Sequence, residues 1–483
     1  MSNKKYNKNF VVVIAVIAAT GGLLFGFDTG VISGAIPFLQ KYFSIGDHVI
    51  ETITTAMLIG AVLGAMLGGR LTDLLGRKKV ILAAAVFFVT GAICSGMAAT
   101  PEGLMAARLI SGIAVGVSSF AVPLYIAEIA PAKKRGALVS MFQLLITAGI
   151  LASYLSDLAL ADESNPACWR MMFFMGVFPA TILLTGMFFL PETPRWLMQK
   201  GREKESRDVL ERIESADVFE QELNQIKVEI EKSRDTASWR ELLQPWMRTP
   251  LFIAITIMFF QQFVGINTVI YYSPKIFLMA GFEGNIAAIS ASVAVGVVNL
   301  LATIVSVYFV DRIGRRKLFF IGLTGITLSL ASLGLCFLFH HNMGDAGKWT
   351  SIVLVFLYIA FFAISIGPLG WLIISEIFPQ KVRGLGASIG SLSVWVFNAI
   401  VTFTFFKIVN AFTVKGTEVI VEGEKLGNPA GAFFLYAVIA LCALVWGYYY
   451  LPETKGISLE TIENFWRKGG KPRLLNKEKQ KEL

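Results

Sequence analysis

Apolar residues come along this chain in runs, each about 20 residues long and closed by a short polar string. A helix needs roughly that length to cross the hydrocarbon of a bilayer, because each residue adds only ~1.5 Å along the axis. Twelve such runs fit, near 11–36, 51–71, 80–99, 104–126, 137–159, 170–190, 250–272, 286–310, 318–339, 351–374, 385–407 and 430–451. The pattern predicts an all-α membrane protein of twelve transmembrane helices. Residues 195–248 follow another rule. There Arg207, Asp208, Glu211, Arg212, Glu220, Glu222, Lys227, Glu229 and Glu231 flank Leu210, Leu223 and Ile226, the spacing of short amphipathic helices lying in water. This insert is too short for an enzyme domain and carries no catalytic constellation, so bracing or latching is its expected use.

The polar strings repeat. After the second run comes Gly69 to Lys78, containing Asp73, Gly76 and Arg77; after the eighth comes Val310 to Lys317, containing Asp311, Gly314 and Arg315. Glu128 stands seven residues before Arg135-Gly136, and Glu376 seven before Arg383-Gly384. Pro191-Glu192-Thr193 closes the sixth run and Pro452-Glu453-Thr454 the twelfth. One six-helix unit therefore occurs twice, dividing the chain into an N-terminal bundle (1–190), a cytoplasmic linker (191–249), a C-terminal bundle (250–454) and a cytoplasmic tail (455–483). Many secondary transporters pair two halves in this way, place a site at the bilayer midplane and rock around it. Membrane orientation alone accounts for the basic residues at these helix ends. The acids beside them point to a set of ion pairs, Asp73, Arg77, Glu128, Arg135, Asp311, Arg315, Glu376 and Arg383, that locks the halves when the inner side is closed.

Composition sets the solvent and the side. With 55% hydrophobic and only 16% charged residues the chain cannot cover itself with a water-compatible surface, so its solvent is lipid. A net charge of +9 raises nucleic acid as a partner, but most of the 43 Lys and Arg lie in the termini, the insert and alternate loops. That is the positive-inside asymmetry, with both termini cytoplasmic and no nucleic acid implied. The basic stretch from Arg467 to Lys481 reads as a solvated or lipid-attracted tail. The first run is too long for a signal-peptide core and continues through Gly26, Asp28 and Gly30, so it is expected to be retained. The chain contains no Asn-x-Ser/Thr sequon, which points to a bacterial cytoplasmic membrane. Cys94, Cys168, Cys336 and Cys442 have neither metal-ligand nor disulfide spacing, and no cofactor or metal is expected.

Inside the runs, ionisable groups cost on the order of 2.5–3.5 kcal/mol each and are functional candidates by default. Two stand out, Asp28 in Phe25-Gly26-Phe27-Asp28-Thr29-Gly30 and Arg108 in Ala107-Arg108-Leu109-Ile110-Ser111-Gly112. They form either a buried pair that fixes packing or a proton-coupling device, the carboxylate losing and regaining its proton as access alternates. The seventh run carries Gln261, Gln262, Gly265, Asn267 and Tyr271, and amides that both donate and accept suit vicinal hydroxyls. Gln143 and Asn299 are isolated amides in the fifth and eighth runs, placed either to join helices or to bind a solute. Trp371, after Gly367-Pro368-Leu369-Gly370, and Trp395 offer ring faces to the C–H face of a sugar.

Taken in order, these strings resemble the sugar porter family of the major facilitator superfamily. The resemblance runs from Asp28 to Pro452-Glu453-Thr454 and includes Gln261-Gln262-Phe263-Val264-Gly265-Ile266-Asn267 and Pro191 to Trp196. It implies the major facilitator fold, alternating access, and a monosaccharide held mainly by Gln143, Gln261, Gln262, Asn267, Asn299, Gly367 and Trp371. It also implies that Asp28 with Arg108 marks a proton-coupled pentose or hexose symporter; the alternatives are a facilitative sugar uniporter and a non-transporting sugar sensor, and a monomer is the default expectation.

Overall fold

The computed structural model describes residues 8–131, 134–214, 216–233, 239–339, 343–379, 382–413, 419–421, 424–457 and 459–475. Twelve helical segments among them are long and apolar enough to cross a membrane. The first five are the continuous helices α1 (Lys8–Phe43), α2 (Asp47–Leu75), α3 (Arg77–Met97), α4 (Pro101–Ile129) and α5 (Arg135–Leu160). The sixth consists of α6 (Trp169–Phe174) and α7 (Val177–Phe189). The insert forms α8 (Pro194–Gln199), α9 (Glu203–Ile213), α10 (Ala216–Ser233) and α11 (Trp239–Leu242). The seventh span is split into α12 (Arg248–Phe263) and α13 (Ile266–Met279), followed by α14 (Asn285–Ile313) and α15 (Arg315–Leu338). The tenth is split into α16 (Asp345–Ile364) and α17 (Ile366–Ile377); then come α18 (Arg383–Phe412), α19 (Ala430–Tyr450) and the short α20 (Leu459–Arg467). Val419–Val421 and Glu424–Leu426 pair antiparallel, and these are the only strands among the described residues. Several spans outrun the apolar runs: α1 is 36 residues long and α2 is 29.

Contacts divide the chain into two units that are not the sequence halves. Unit 1 comprises Met1–Asp28, Ala56–Ala152 and Arg170–Ala237; unit 2 comprises Thr29–Thr55, Ser153–Trp169 and Ser238–Leu483. The division passes through α1, α2 and α5. The segments 29–43, 47–55 and 153–160 of these helices, here called the far end, belong to unit 2 with the second-half helices.

Within unit 1, glycines let helix backbones touch, the close packing that substitutes for hydrophobic drive in lipid. Gly60 and Gly64 of α2 face Gly112 and Gly116 of α4; a methyl on Gly112 would lie 1.9 Å from the Met57 carbonyl oxygen and one on Gly60 2.2 Å from that of Leu109. Gly26 of α1 and Gly149 of α5 make a second crossing of this kind, against Ile146 and Leu23. In unit 2, α20 presents an apolar face: Ile462, Phe465 and Trp466 are buried and the Trp466 indole donates to Ile377 O at 3.1 Å. The start of the tail, up to the basic stretch that begins at Arg467, is therefore docked.

Because backbone cannot yield at the α2·α4 crossing, Gly112→Val should cost at least the ~1–3 kcal/mol typical of overpacking. Thermal unfolding of the purified protein in detergent should show a lowered midpoint for Gly112→Val and an unchanged one for Gly136→Ala, whose added methyl meets nothing within 4 Å.

Candidate functional site

In unit 1, Arg108 Nη1 donates to Asp28 Oδ1 at 2.7 Å and Nη2 donates to the Asp28 carbonyl at 3.0 Å. The guanidinium is fully buried and lies 5.5 Å from the centre of the Phe173 ring. Asp28 keeps one oxygen, Oδ2, buried and without a partner. A carboxylate with one satisfied and one idle oxygen beside a fixed cation can take up a proton on the idle side without breaking the pair. Asp28 is also the last residue of unit 1 along α1.

In unit 2 the amides of the seventh span form one row. Asn267 Nδ2 donates to Gln262 Oε1 at 2.6 Å, Gln262 Nε2 to Gln261 Oε1 at 3.1 Å, and Gln261 Nε2 to the carbonyls of Gly367 at 2.6 Å and Ile366 at 3.1 Å. The row exists because both contributing spans are broken. Between α12 and α13 stands Gly265 at φ +87, packed against the Tyr436 ring, a place where any Cβ would be strained and would collide. The Val264 carbonyl at that break accepts from Tyr358 Oη at 2.9 Å. Pro368 has no N–H for the Ile364 carbonyl four residues earlier, and Ser306 Oγ fills the gap at 3.2 Å. Pro274 likewise frees the Ile270 carbonyl, which Tyr154 Oη of α5 reaches at 2.7 Å.

The structure thus brings Gln261, Gln262, Asn267 and Gly367 together. Tyr271 is joined instead to Asn398, whose Nδ2 donates to its hydroxyl at 3.2 Å, and Thr402 donates to Asn398 Oδ1 at 3.1 Å. Asn299 is buried on α14, Trp371 is exposed on α17, Trp395 is buried on α18, and Gln143 is half-buried in unit 1. Sequence reasoning missed Asn398, one turn beyond Trp395 in an apolar helix. It also missed three buried charged groups. Lys275 bonds to Asp47 and, at 3.3 Å, to Gln40 Oε1; Glu51 accepts from the Phe406 N–H at 2.7 Å; Asp157 is buried on α5. Glu51 and Asp157 fall at the ends of the 51–71 and 137–159 runs and Lys275 just past the 250–272 run, where each reads as the polar boundary of its span. For Glu51 and Lys275 the signal is helix length, since α2 begins at Asp47 and α13 runs to Met279.

The repeated polar strings become two copies of one charge cluster. Arg77 contacts Glu128 at 3.0 Å and Asp73 at 3.3 Å, and Thr193 donates to Glu128 at 2.6 Å. Arg315 contacts Glu376 at 2.7 Å, and Thr454 donates to the same carboxylate. Gly76 and Gly314, at φ +100 and +96, turn the chain into α3 and α15, whose first N–H groups donate to Glu192 and Glu453. Carboxylates at helix N-termini complement the exposed amide dipoles there. Burial pushes the Glu192 carboxyl above its usual range, against the pull of its N–H donors and of Arg77. Each described pair joins helices of one unit. Arg135 meets Glu222 of the insert at 3.8 Å. The side chains of Asp311 and Arg383 lie outside the described residues. No group of His, Cys, Asp and Glu among the described residues could hold a metal.

A family profile described as "Sugar (and other) transporter" matches residues 14–466. The chain belongs to the sugar transporter family. Among its relatives, the putative metabolite transport protein YwtG of Bacillus subtilis (strain 168) is 40% identical over 445 residues, covering 92% of this chain and 93% of that protein. The galactose-proton symporter of Escherichia coli (strain K12) is 37% identical over 470 residues, covering 97% of each. A solved structure of the major facilitator superfamily proton:xylose symporter XylE of E. coli, bound to 6-bromo-6-deoxy-D-glucose, superposes with a TM-score of 0.78 at 31% identity, over 95% of this chain and all of that one. This sugar transporter family member therefore has the major facilitator fold, twelve spans of all-α architecture.

The two charge clusters differ in burial: the Glu128 side chain is 7% exposed and that of Glu376 22%. Removing one partner of a buried pair leaves an uncompensated charge, at about 3 kcal/mol or more. Glu128→Gln is expected to lower the thermal unfolding midpoint, and Glu376→Gln to lower it less.

Proposed function

We propose that the chain is a proton-coupled monosaccharide symporter, taking up a pentose or hexose by alternating access between two six-helix halves, 1–190 and 250–454. The observation that carries the reading is the buried Asp28–Arg108 pair with one idle carboxylate oxygen. In lipid such a pair is costly to keep, and a carboxylate that can gain and lose a proton gives it a use. The galactose-proton and arabinose-proton symporters of E. coli, 37% and 35% identical, support it from outside.

The proton enters on Asp28. The sugar binds the amide row of the seventh span, whose alternating donors and acceptors match paired hydroxyls, with Gly367, Asn299 and Gln143 contributing and Trp371 covering a C–H face. Tyr271 and Trp395 shape the back of this site. Closure and release on the inner side deliver both. The end-of-helix ion pairs hold each gate. The protein acts as a monomer in the bacterial inner membrane with both termini cytoplasmic.

One charge moved across 100 mV is worth roughly 2.3 kcal/mol, enough for about a fifty-fold solute gradient. Asp28→Asn should therefore abolish accumulation in vesicles energised by a proton gradient while equilibrium counterflow persists. Uphill uptake by Asp28→Asn, or a sugar pulse that fails to alkalinise an unbuffered suspension of the unsubstituted protein, would overturn the coupling. Gln262→Ala and Asn267→Ala each leave a neighbouring amide unpaired, at about 1–3 kcal/mol. Sugar affinity measured by calorimetry or quenching should fall by at least about fivefold in each, with the protein still monodisperse.

A further inference from the structure

A second carboxylate lies in the membrane without a countercharge. Asp157 of α5 is completely buried, and neither of its oxygens meets a side-chain donor or cation. It presses on Gly34 of α1 so closely that a methyl there would fall 2.4 Å from the Asp157 Cβ. Only glycine leaves room for it.

The groups around it are identifiable. On its own helix, Tyr154 stands one turn away, donating to Ile270 O of α13 at 2.7 Å. From α1, Ser33 faces the same region and shares a 3.2 Å hydrogen bond with Ser273 of α13. From α13, the titratable neighbour is Tyr271, engaged with Asn398. The other charged groups buried at this end are committed elsewhere: Lys275 to Asp47, Glu51 to the Phe406 N–H. All these contacts lie within unit 2.

An ionised carboxylate enclosed this way would be a buried charge with no salt bridge and only the Gly34 backbone N–H beside it, a state proteins avoid by neutralising the group. The enclosure itself depends on α13 lying against α1 and α5, through Tyr154–Ile270 and Ser33–Ser273. Alternating access at this end parts them and admits water, in which a carboxylate ionises readily.

We propose that Asp157 is a second proton-binding carboxylate, one that must take a proton before the far end can close. The proton passes from far-side water to one carboxylate oxygen, and no other bond changes. Asp157 thereby makes closure, the step after loading, dependent on far-side proton activity. The inference rests on alternating access as proposed above, but its readout needs no sugar.

The test uses the full chain with its four native cysteines replaced by alanine and one cysteine introduced, Ser273→Cys at the seam or Ser164→Cys in the exposed loop as a reference. Labelling by a membrane-impermeant maleimide is followed in right-side-out vesicles from pH 6 to 8.5. The rate at 273 divided by the rate at 164 should rise about tenfold as Asp157 ionises and the far end opens. In Asp157→Asn, which copies the neutral acid and its shape, that ratio should stay flat. A flat ratio in the chain with Asp157, or an equal rise with Asp157→Asn, overturns the proposal. A rise confined to Asp157 with no sugar transported would leave this inference standing and remove the sugar reading instead.

Discussion

Hydrocarbon offers no hydrogen bonds, so each backbone N–H and C=O in the membrane must find its partner within the protein. Everything distinctive in this structure follows from where the chain breaks that rule locally and how it repairs the breach. Unbroken helices such as α3 and α15 satisfy themselves. Spans seven and ten are interrupted by Gly265, Pro274 and Pro368, and each interruption leaves carbonyls that other helices must serve. The repairs bring together Tyr358, Ser306, Tyr154 and Gln261, and Gln261 turns a repair into the start of an amide row.

The helix ends obey a related constraint. Gly76 and Gly314 start helices abruptly, with N–H groups unmet at the membrane boundary, and Glu192 and Glu453 from distant parts of the chain satisfy them. The Glu128–Arg77 and Glu376–Arg315 pairs sit alongside, so each cluster ties three helix ends at once. Duplication explains why the geometry recurs, and the difference in burial between the copies shows how far the halves have diverged. The intramembrane charges are distributed more widely than Asp28 and Arg108 alone. Glu51, Asp157 and Lys275 place buried charged groups at the far end, among helices that also carry the amides.

Much of this was written plainly in the sequence. Twelve apolar runs, the duplicated acid-base strings and the amphipathic insert are periodic or repetitive signals, and periodicity survives without coordinates. Gln261, Gln262 and Asn267 were legible because amides in an apolar run are conspicuous. Asp157 was not, because a lone acid two residues from the end of the fifth run reads as the polar close of that span. Asn398 was hidden by the same logic: a single amide among Trp395, Phe397 and Ile400 reads as ordinary, and its role comes from Tyr271, 127 residues away in the chain. The docking of α20 could not be seen either, since Ile462, Phe465 and Trp466 form one stripe too short to distinguish from a lipid-facing tail.

The kinds of bond used at each place suggest how such a molecule can be both durable and mobile. At the helix ends the links are charge-assisted and buried, and losing one partner costs several times the net value of a neutral hydrogen bond. At the breaks the links are hydroxyl to carbonyl or amide to amide, each contributing about 1 kcal/mol net. Tyr154–Ile270 and Ser33–Ser273 are of this second kind, and water can replace either bond once a path opens. A bundle whose ends are strongly tied and whose interruptions are weakly tied bends at its interruptions. Gly265, Tyr272 with its non-helical φ of −113, and Ser365 with φ −119 and ψ −103 are the points in these spans where the helical backbone departs from regularity. The amide row runs across the first of them, with Gln261 and Gln262 on one side of Gly265 and Asn267 on the other.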